Sequence, residues 1–384
     1  MSKTDFTKAE FASRRSAVRA AMAERKLDWL LLFHPVSIHW LTGSDAKSYQ
    51  SFQCLLVSAS SDDLSIFTRE SERNEFEADA LVDEVLTWGG SMPEEPVAAF
   101  QRIAFSKNIL KGRVGMEIPA YYLHPLHYER LKLWFGQSLC LDATSLVGDL
   151  KLVKSPAEIL YIRQAARIAD LAMVRFAENI EHGQSELEAA AVIHHALLSS
   201  GSGLAASTIN LVSGERSAFS HGAPTDRRFA NGDAINVEYG SAVKRYTATL
   251  GRQFCLGEPT ARLYELHALV REASDACIAA IRNGVPSTVP HEAAARVIAE
   301  AGLDKYRVHT SGYGLAPGFP PSWGESVNMF GGNTYTLKAG MVVSVEPPVF
   351  IGAEKLGVRI IDNVLITEQG CELLSTFSRE LVCI

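Results

Sequence analysis

The chain of 384 residues has room for two domains, and its 47% apolar and 21% charged residues are those of a folded globular protein. A net charge of −7 speaks against nucleic acid as a partner, because phosphate binding needs a basic face. The six scattered cysteines contain no C-x-x-C pair, so the usual zinc spacings are absent and they read as free thiols of a reduced compartment. The charged amino terminus lacks the apolar core of a signal peptide, and the run Leu27-Asp-Trp-Leu-Leu-Leu-Phe33 is too short to cross a membrane. A cytoplasmic protein without a membrane partner is the expectation. By count, 44 acids and 11 histidines could build almost any metal site.

The first part of the chain alternates helices and strands. A helical period runs from Phe11 to Arg25, and the apolar run Trp29–Phe33 reads as a buried strand. Cys54–Val57 and Leu64–Phe67 read as strands around an Asp62-Asp63 turn, followed by a helix over Glu70–Leu81 and a strand at Val114–Glu117. This alternation predicts a small α/β domain with a mixed sheet over residues 1–150.

Near Leu150 the pattern changes. Ser155, Pro156 and Glu158 form a capping box that opens a long helix, Ala157–Ile180. A second helix spans Ser185–Leu198 and stops at a Gly-Ser-Gly stretch. Strands follow at Ile209–Val212, Ala234–Tyr239 and Tyr246–Phe254, then helices over Arg262–Asn283 and Val289–Ala301. A closing β run starts at Met341 and includes Val358–Ile361 and Val364–Ile366. Residues 151–384 form the second, α+β domain.

Several phrases of this second part resemble the creatinase, prolidase, aminopeptidase P and methionine aminopeptidase family. They are Leu152–Ile159, Phe219-Ser-His-Gly222, Asn231–Gly240 with Tyr246–Phe254, His309-Thr-Ser-Gly-Tyr-Gly314 and Leu337–Pro347. The resemblance implies the pita-bread catalytic fold for residues 151–384 and a creatinase-type N-terminal domain before it. The peptidase branch of that family holds two metal ions with two aspartates, a histidine and two glutamates. At those positions this chain has Glu238, Thr249, Tyr313, Glu346 and Ile361. Bridging carboxylates must hold such ions about 3.5–4 Å apart, and threonine, tyrosine and isoleucine cannot do so. Asp362 stands next to Ile361, but in a strand it points to the opposite face. No metal and no cofactor are therefore expected.

The phrase Gly312–Glu325, with its Gly-Tyr pair and Pro-Pro-x-Trp-Gly-Glu segment, resembles the metal-free ectoine hydrolases of the family, as does a glutamate at position 238. A creatinase carries a substrate-binding glutamate where this chain has Gly251, and ectoine hydrolases lack the Glu346-Pro347 pair, so the match to either is mixed. The resemblance implies metal-independent hydrolysis of a C–N bond in a small polar or zwitterionic substrate. A creatinase-like amidinohydrolase, an Xaa-Pro dipeptidase and a non-catalytic binding protein are the alternatives. It also implies a homodimer whose N-terminal domain, through Tyr49 or Phe52, reaches the neighbouring site.

Residue by residue, Glu238 sits in an apolar strand. It is either a nucleophile or cation anchor, or a structural acid paired with Arg252 or Lys244. His221 lies in a loop and its near-neutral pKa suits proton transfer to a leaving nitrogen. His309 is placed as a proton donor or oxyanion partner and Tyr313 as a hydrogen-bond donor to a developing oxyanion, with packing as the alternative for Tyr313. Glu346 is expected to bind a substrate cation, Glu325 to contact the substrate behind a glycine that allows close backbone approach, and Trp323 to stack on a flat ring or cation. Tyr246 is included as a substrate contact, although architecture is its first reading.

Overall fold

In a computed structural model that describes residues 2–332 and 335–384, the run at Trp29–Leu32 becomes an interior strand of a mixed sheet. Among the described residues this sheet has six strands. Their order is Glu84–Trp88, Leu64–Arg69, Cys54–Ser58, Trp29–Leu32, Val114–Met116 and Leu139–Asp142. Leu30 and Leu32 feed one core cluster while Leu31 and Phe33 feed another, so both faces are covered and the strand reads as continuous apolar sequence. The helix expected over Glu70–Leu81 is shorter. It is a 3-10 turn, Glu70–Glu72, followed by Arg73–Asp79.

Besides the short Thr144–Leu150, three proline-initiated helices escaped the sequence reading: Pro35–Thr42, Pro96–Ser106 and Pro125–Phe135. Each starts on a proline, and the residue before it (His34, Glu95, His124) accepts a backbone N–H through its side chain. Phe52 belongs to the core of this region. Its ring makes edge contacts with Phe33, Phe67 and Phe100 at 5.5–6.0 Å, and it is 5% exposed. Tyr49 is likewise buried. Phe52 thus has no surface to offer a ligand, because the four-aromatic cluster consumes it.

The chain divides into two compact units, Met1–Lys151 and Leu152–Ile384. The second opens with the helix Pro156–Asn179, whose capping box of Ser155 and Glu158 is complete, and continues with Glu186–Ser199, capped the same way by Ser185 and Glu188. Its sheet has nine strands among the described residues. The path runs Gly370–Leu373, Asp362–Thr367, Val342–Val345, Tyr313–Phe319, Tyr246–Cys255, Ala234–Val243, Asn210–Ser213. Ser322–Asn328 pairs with Tyr313–Phe319, so the Gly-Tyr-Gly segment is the start of a β-hairpin rather than a loop. Val358 ends a short strand, Leu356–Val358, and Arg359–Ile361 link it to Asp362–Thr367.

The central hairpin decides what faces where. Lys244 and Arg245 both have positive φ (53° and 69°), so the strands Ala234–Val243 and Tyr246–Cys255 are joined by a tight two-residue turn without glycine. Tertiary contacts hold that unfavourable backbone: the Arg245 guanidinium lies 4.3 Å over the Phe319 ring and its carbonyl accepts the Gly318 N–H at 2.7 Å. The resulting register pairs Glu238 with Gly251. Ile235, Val237 and Tyr239 pack with residues of the two capped helices, and Tyr239 donates to the Ala169 carbonyl at 2.8 Å. Strand alternation then places Asn236, Glu238 and Gly240 on the opposite face.

Candidate active site

Glu238 is 7% exposed and its carboxylate needs partners. They are neither Arg252 nor Lys244. Arg359 pairs with Glu238 Oε2 through Nη2, and Asn210 Nδ2 donates to the same oxygen at 2.9 Å. Arg359, itself 6% exposed, also donates from Nη2 to the Ser220 carbonyl at 3.0 Å, which fixes the loop carrying His221. Arg359 and Asn210 were not anticipated. An arginine inside the apolar run Val358–Ile361 was the available signal, since a charge in a buried strand has to be paired.

Around this pair stand the other site residues. The rings of His221 and His309 are 5.3 Å apart. Burial lowers both pKa values, with the Arg359 charge adding to it, and His309 falls to about 4. His309 is therefore a neutral imidazole near pH 7. Tyr313 has its pKa pushed well up by burial and by the nearby charge of Glu346, and its hydroxyl oxygen accepts from the Trp323 indole Nε1 at 3.1 Å. Trp323 is buried, and its ring lies so close over Gly240 that a Cβ there would come within 2.8 Å. It positions Tyr313 and has no open ring face to spare for stacking.

Glu346 is 1% exposed, and Ser344 Oγ donates to its Oε1 at 3.2 Å. Burial raises its pKa to about 8, against the opposing pull of Arg359. Its carboxyl therefore gives up its proton less readily than an ordinary glutamate.

Two expected contacts lie elsewhere. Tyr246 is fully buried five residues along the hairpin from Glu238's partner and donates to Glu158 Oε1 at 2.7 Å, tying the sheet to the helix cap. Glu325 forms a buried ion pair with Lys154, both side chains 1% exposed. That charge is spent on the fold.

The five positions that the peptidase pattern would fill with metal ligands do converge by register, but their chemistry is wrong for a pair of divalent ions. Glu238 is matched by a guanidinium. Thr249 is bound to Asn363, its N–H to Oδ1 at 2.6 Å and its Oγ1 to Nδ2 at 2.8 Å. Ile361 fills the space over Gly251, where a Cβ would approach it to 2.7 Å. Among the described residues no group of three or more His, Cys, Asp or Glu could hold a metal ion. Two carboxyls among the five positions, one of them paired with arginine, do not fit a two-ion centre.

The profile of metallopeptidase family M24 matches residues 161–368, and that of the creatinase/prolidase N-terminal domain matches residues 14–153. The chain belongs to family M24. It is 28% identical to an ectoine hydrolase of Halomonas elongata, with 98% of both chains covered. It is 26% identical to an Xaa-Pro dipeptidase of Pyrococcus furiosus over 94% of this chain and 97% of that one. Among solved structures, a dipeptidase of Mycobacterium ulcerans superposes with a TM-score of 0.86 at 26% identity, covering 99% of each. This M24 chain thus has the pita-bread catalytic fold behind a creatinase-type α/β domain, and it is a hydrolase of that family. No helix among the described residues is long and apolar enough to cross a membrane.

Proposed function

We propose that this M24 chain hydrolyses a C–N bond (a cyclic amidine, lactam or amide) in a small polar or zwitterionic metabolite without a metal ion. The observation that carries this reading is the Arg359–Glu238 pair, which sets a fixed guanidinium charge beside the acid at the centre of the site. The similarity to an ectoine hydrolase over the whole chain supports it. In this reading Glu238 acts at the electrophilic carbon, as nucleophile or by activating water. Neutral His221 carries the proton to the leaving nitrogen, and Tyr313 and the Glu346 carboxyl donate to developing negative charge. His309 supports His221. The protein works as a cytoplasmic homodimer.

The deciding experiment is ring opening of ectoine by protein purified in chelator. Turnover that EDTA leaves untouched supports the reading. Activity on Xaa-Pro dipeptides that collapses in EDTA and returns with manganese or cobalt replaces it with the dipeptidase reading, which the 26% identity to such an enzyme favours. A creatinase-like amidinohydrolase is disfavoured by Gly251, since Ile361 occupies the room a glutamate there would need. If ligand raises the melting temperature of both wild type and Glu238→Gln equally and neither turns over, the chain is a binding protein.

A further inference from the structure

A hydrolase needs a water, and Arg359 leaves one place for it. Arg359 Nη1 is a buried donor with no partner, and Asn236 Oδ1 is a buried acceptor with none. The Asn236 amide cannot be flipped to relieve this, because its Nδ2 already donates to the Ser217 and Gly357 carbonyls, each at 2.9 Å. Both side chains line one cavity of about 10 Å³, with Glu238, Asn210, Gly251 and Ile361 among its other walls. That volume suits about one water molecule. The occupant must accept from a guanidinium and donate to an amide oxygen. An anion without a proton cannot donate, a polyatomic one does not fit, and a cation is repelled by Arg359, whereas water does both.

Glu238 lines the same cavity. Its Oε2 is committed to Arg359 and Asn210, while Oε1 accepts no hydrogen bond among the described residues. We propose that one ordered water is held between Arg359 Nη1 and Asn236 Oδ1, and that this is the hydrolytic water, activated by Glu238. The step rests on the C–N hydrolase reading above. The water oxygen bonds to the electrophilic carbon of the substrate, and one of its protons passes to Glu238 Oε1. The C–N bond breaks, and the proton moves from Glu238 through His221 to the leaving nitrogen. The second water proton stays on the new C–OH group; it moves to the retained nitrogen as the amide forms where the substrate is an amidine, and ionises where the group is a carboxylic acid. Nothing is oxidised or reduced, and Glu238 returns as carboxylate. Asn236 is a positioning residue in this scheme.

Two measurements on the wild-type protein test it. A high-resolution crystal structure, with crystals also soaked in bromide, is expected to show a water within hydrogen-bond distance of both atoms and no anomalous peak. An empty cavity or a bromide peak overturns the site, whatever the substrate. A single turnover of ectoine in H2¹⁸O is expected to label the product and leave Glu238 unlabelled, whereas ¹⁸O in Glu238 overturns the direct attack in favour of a covalent intermediate. Asn236→Leu removes the acceptor at similar size together with the two Nδ2 hydrogen bonds to Ser217 and Gly357, so its own crystal structure is read alongside its kinetics. Its expected effect is loss of the water and a fall in kcat of about 100-fold with KM little changed. A variant that loses the water and keeps wild-type kcat overturns the catalytic role. If wild type opens neither ectoine nor any other cyclic amidine, lactam or amide offered, the C–N hydrolase reading fails and takes the catalytic role with it, while the crystal structure alone decides the water site.

Discussion

Two buried arginine–carboxylate pairs are anchored three residues apart, at Arg359 and Asp362, and they are built differently. On one side, Arg252 donates to Asp362 and to the backbone carbonyls of Gly251, Ile361, Phe377 and Ser378, all between 2.7 and 3.0 Å, and Asp362 also accepts from Arg379 at 2.7 Å. Every direction of that guanidinium is used. On the other side, Arg359 holds Glu238 and one carbonyl and leaves Nη1 without a partner. The saturated pair locks the carboxy-terminal segment onto the hairpin. The other leaves Nη1 to the water proposed above, in a cavity that Glu238 also lines.

Breaking each pair should therefore have opposite consequences. Asp362→Ala leaves Arg252 and Arg379 buried without their carboxylate, and should lower unfolding stability by about 3–5 kcal/mol in a urea titration. A loss below about 1 kcal/mol would erase the distinction between the pairs. Glu238→Gln keeps the shape and an oxygen for Arg359 and Asn210, so it should cost less stability than Asp362→Ala and lose activity by about 10²–10⁴-fold, read as kcat on ectoine. Wild-type turnover in that variant would make the Arg359 pair structural too.

Smaller effects sharpen the same contrast. Tyr246→Phe removes a buried hydrogen bond to Glu158, and should cost about 1–2 kcal/mol of stability with kcat and KM unchanged. A changed KM would return Tyr246 to the substrate. The smallest effect concerns Glu346, whose pKa rises from an ordinary 4.5 to about 8 on folding. The folded state holds the proton more tightly, so this contribution is complete below 4.5 and is lost as pH rises through about 8. Wild type should therefore lose more melting temperature than Glu346→Gln as the pH is raised across that window. Parallel curves would mean that Glu346 is already ionised beside Arg359.

Much was legible in one dimension. The capping boxes at Ser155 and Ser185, the apolar strand runs and the central hairpin follow from local rules of spacing and hydrogen-bond demand. The proline-initiated helices were missed although their capping residues stand in the sequence. The histidine of the 219–222 loop, Glu238, Tyr313, His309 and Glu346 are brought near one another. Glu325 is spent on an ion pair, Tyr246 on a helix cap and Phe52 on the aromatic core of its own unit, since a polar or aromatic side chain in a motif can equally serve the core, and sequence spacing does not say which.

The sequence by itself determined the two-part chain, the alternation that turns Glu238 away from the helices, and the absence of enough acids at the five ligand positions despite 44 in the chain. These are local properties, fixed by periodicity and residue chemistry. Only the tertiary structure decided which charges meet. Arg359 lies 121 residues from Glu238, and Asp362 lies 110 from Arg252, so their pairing depends on register between distant strands. A single-residue slip in that register turns a side chain to the other face, and with it the difference between a saturated pair and an open one.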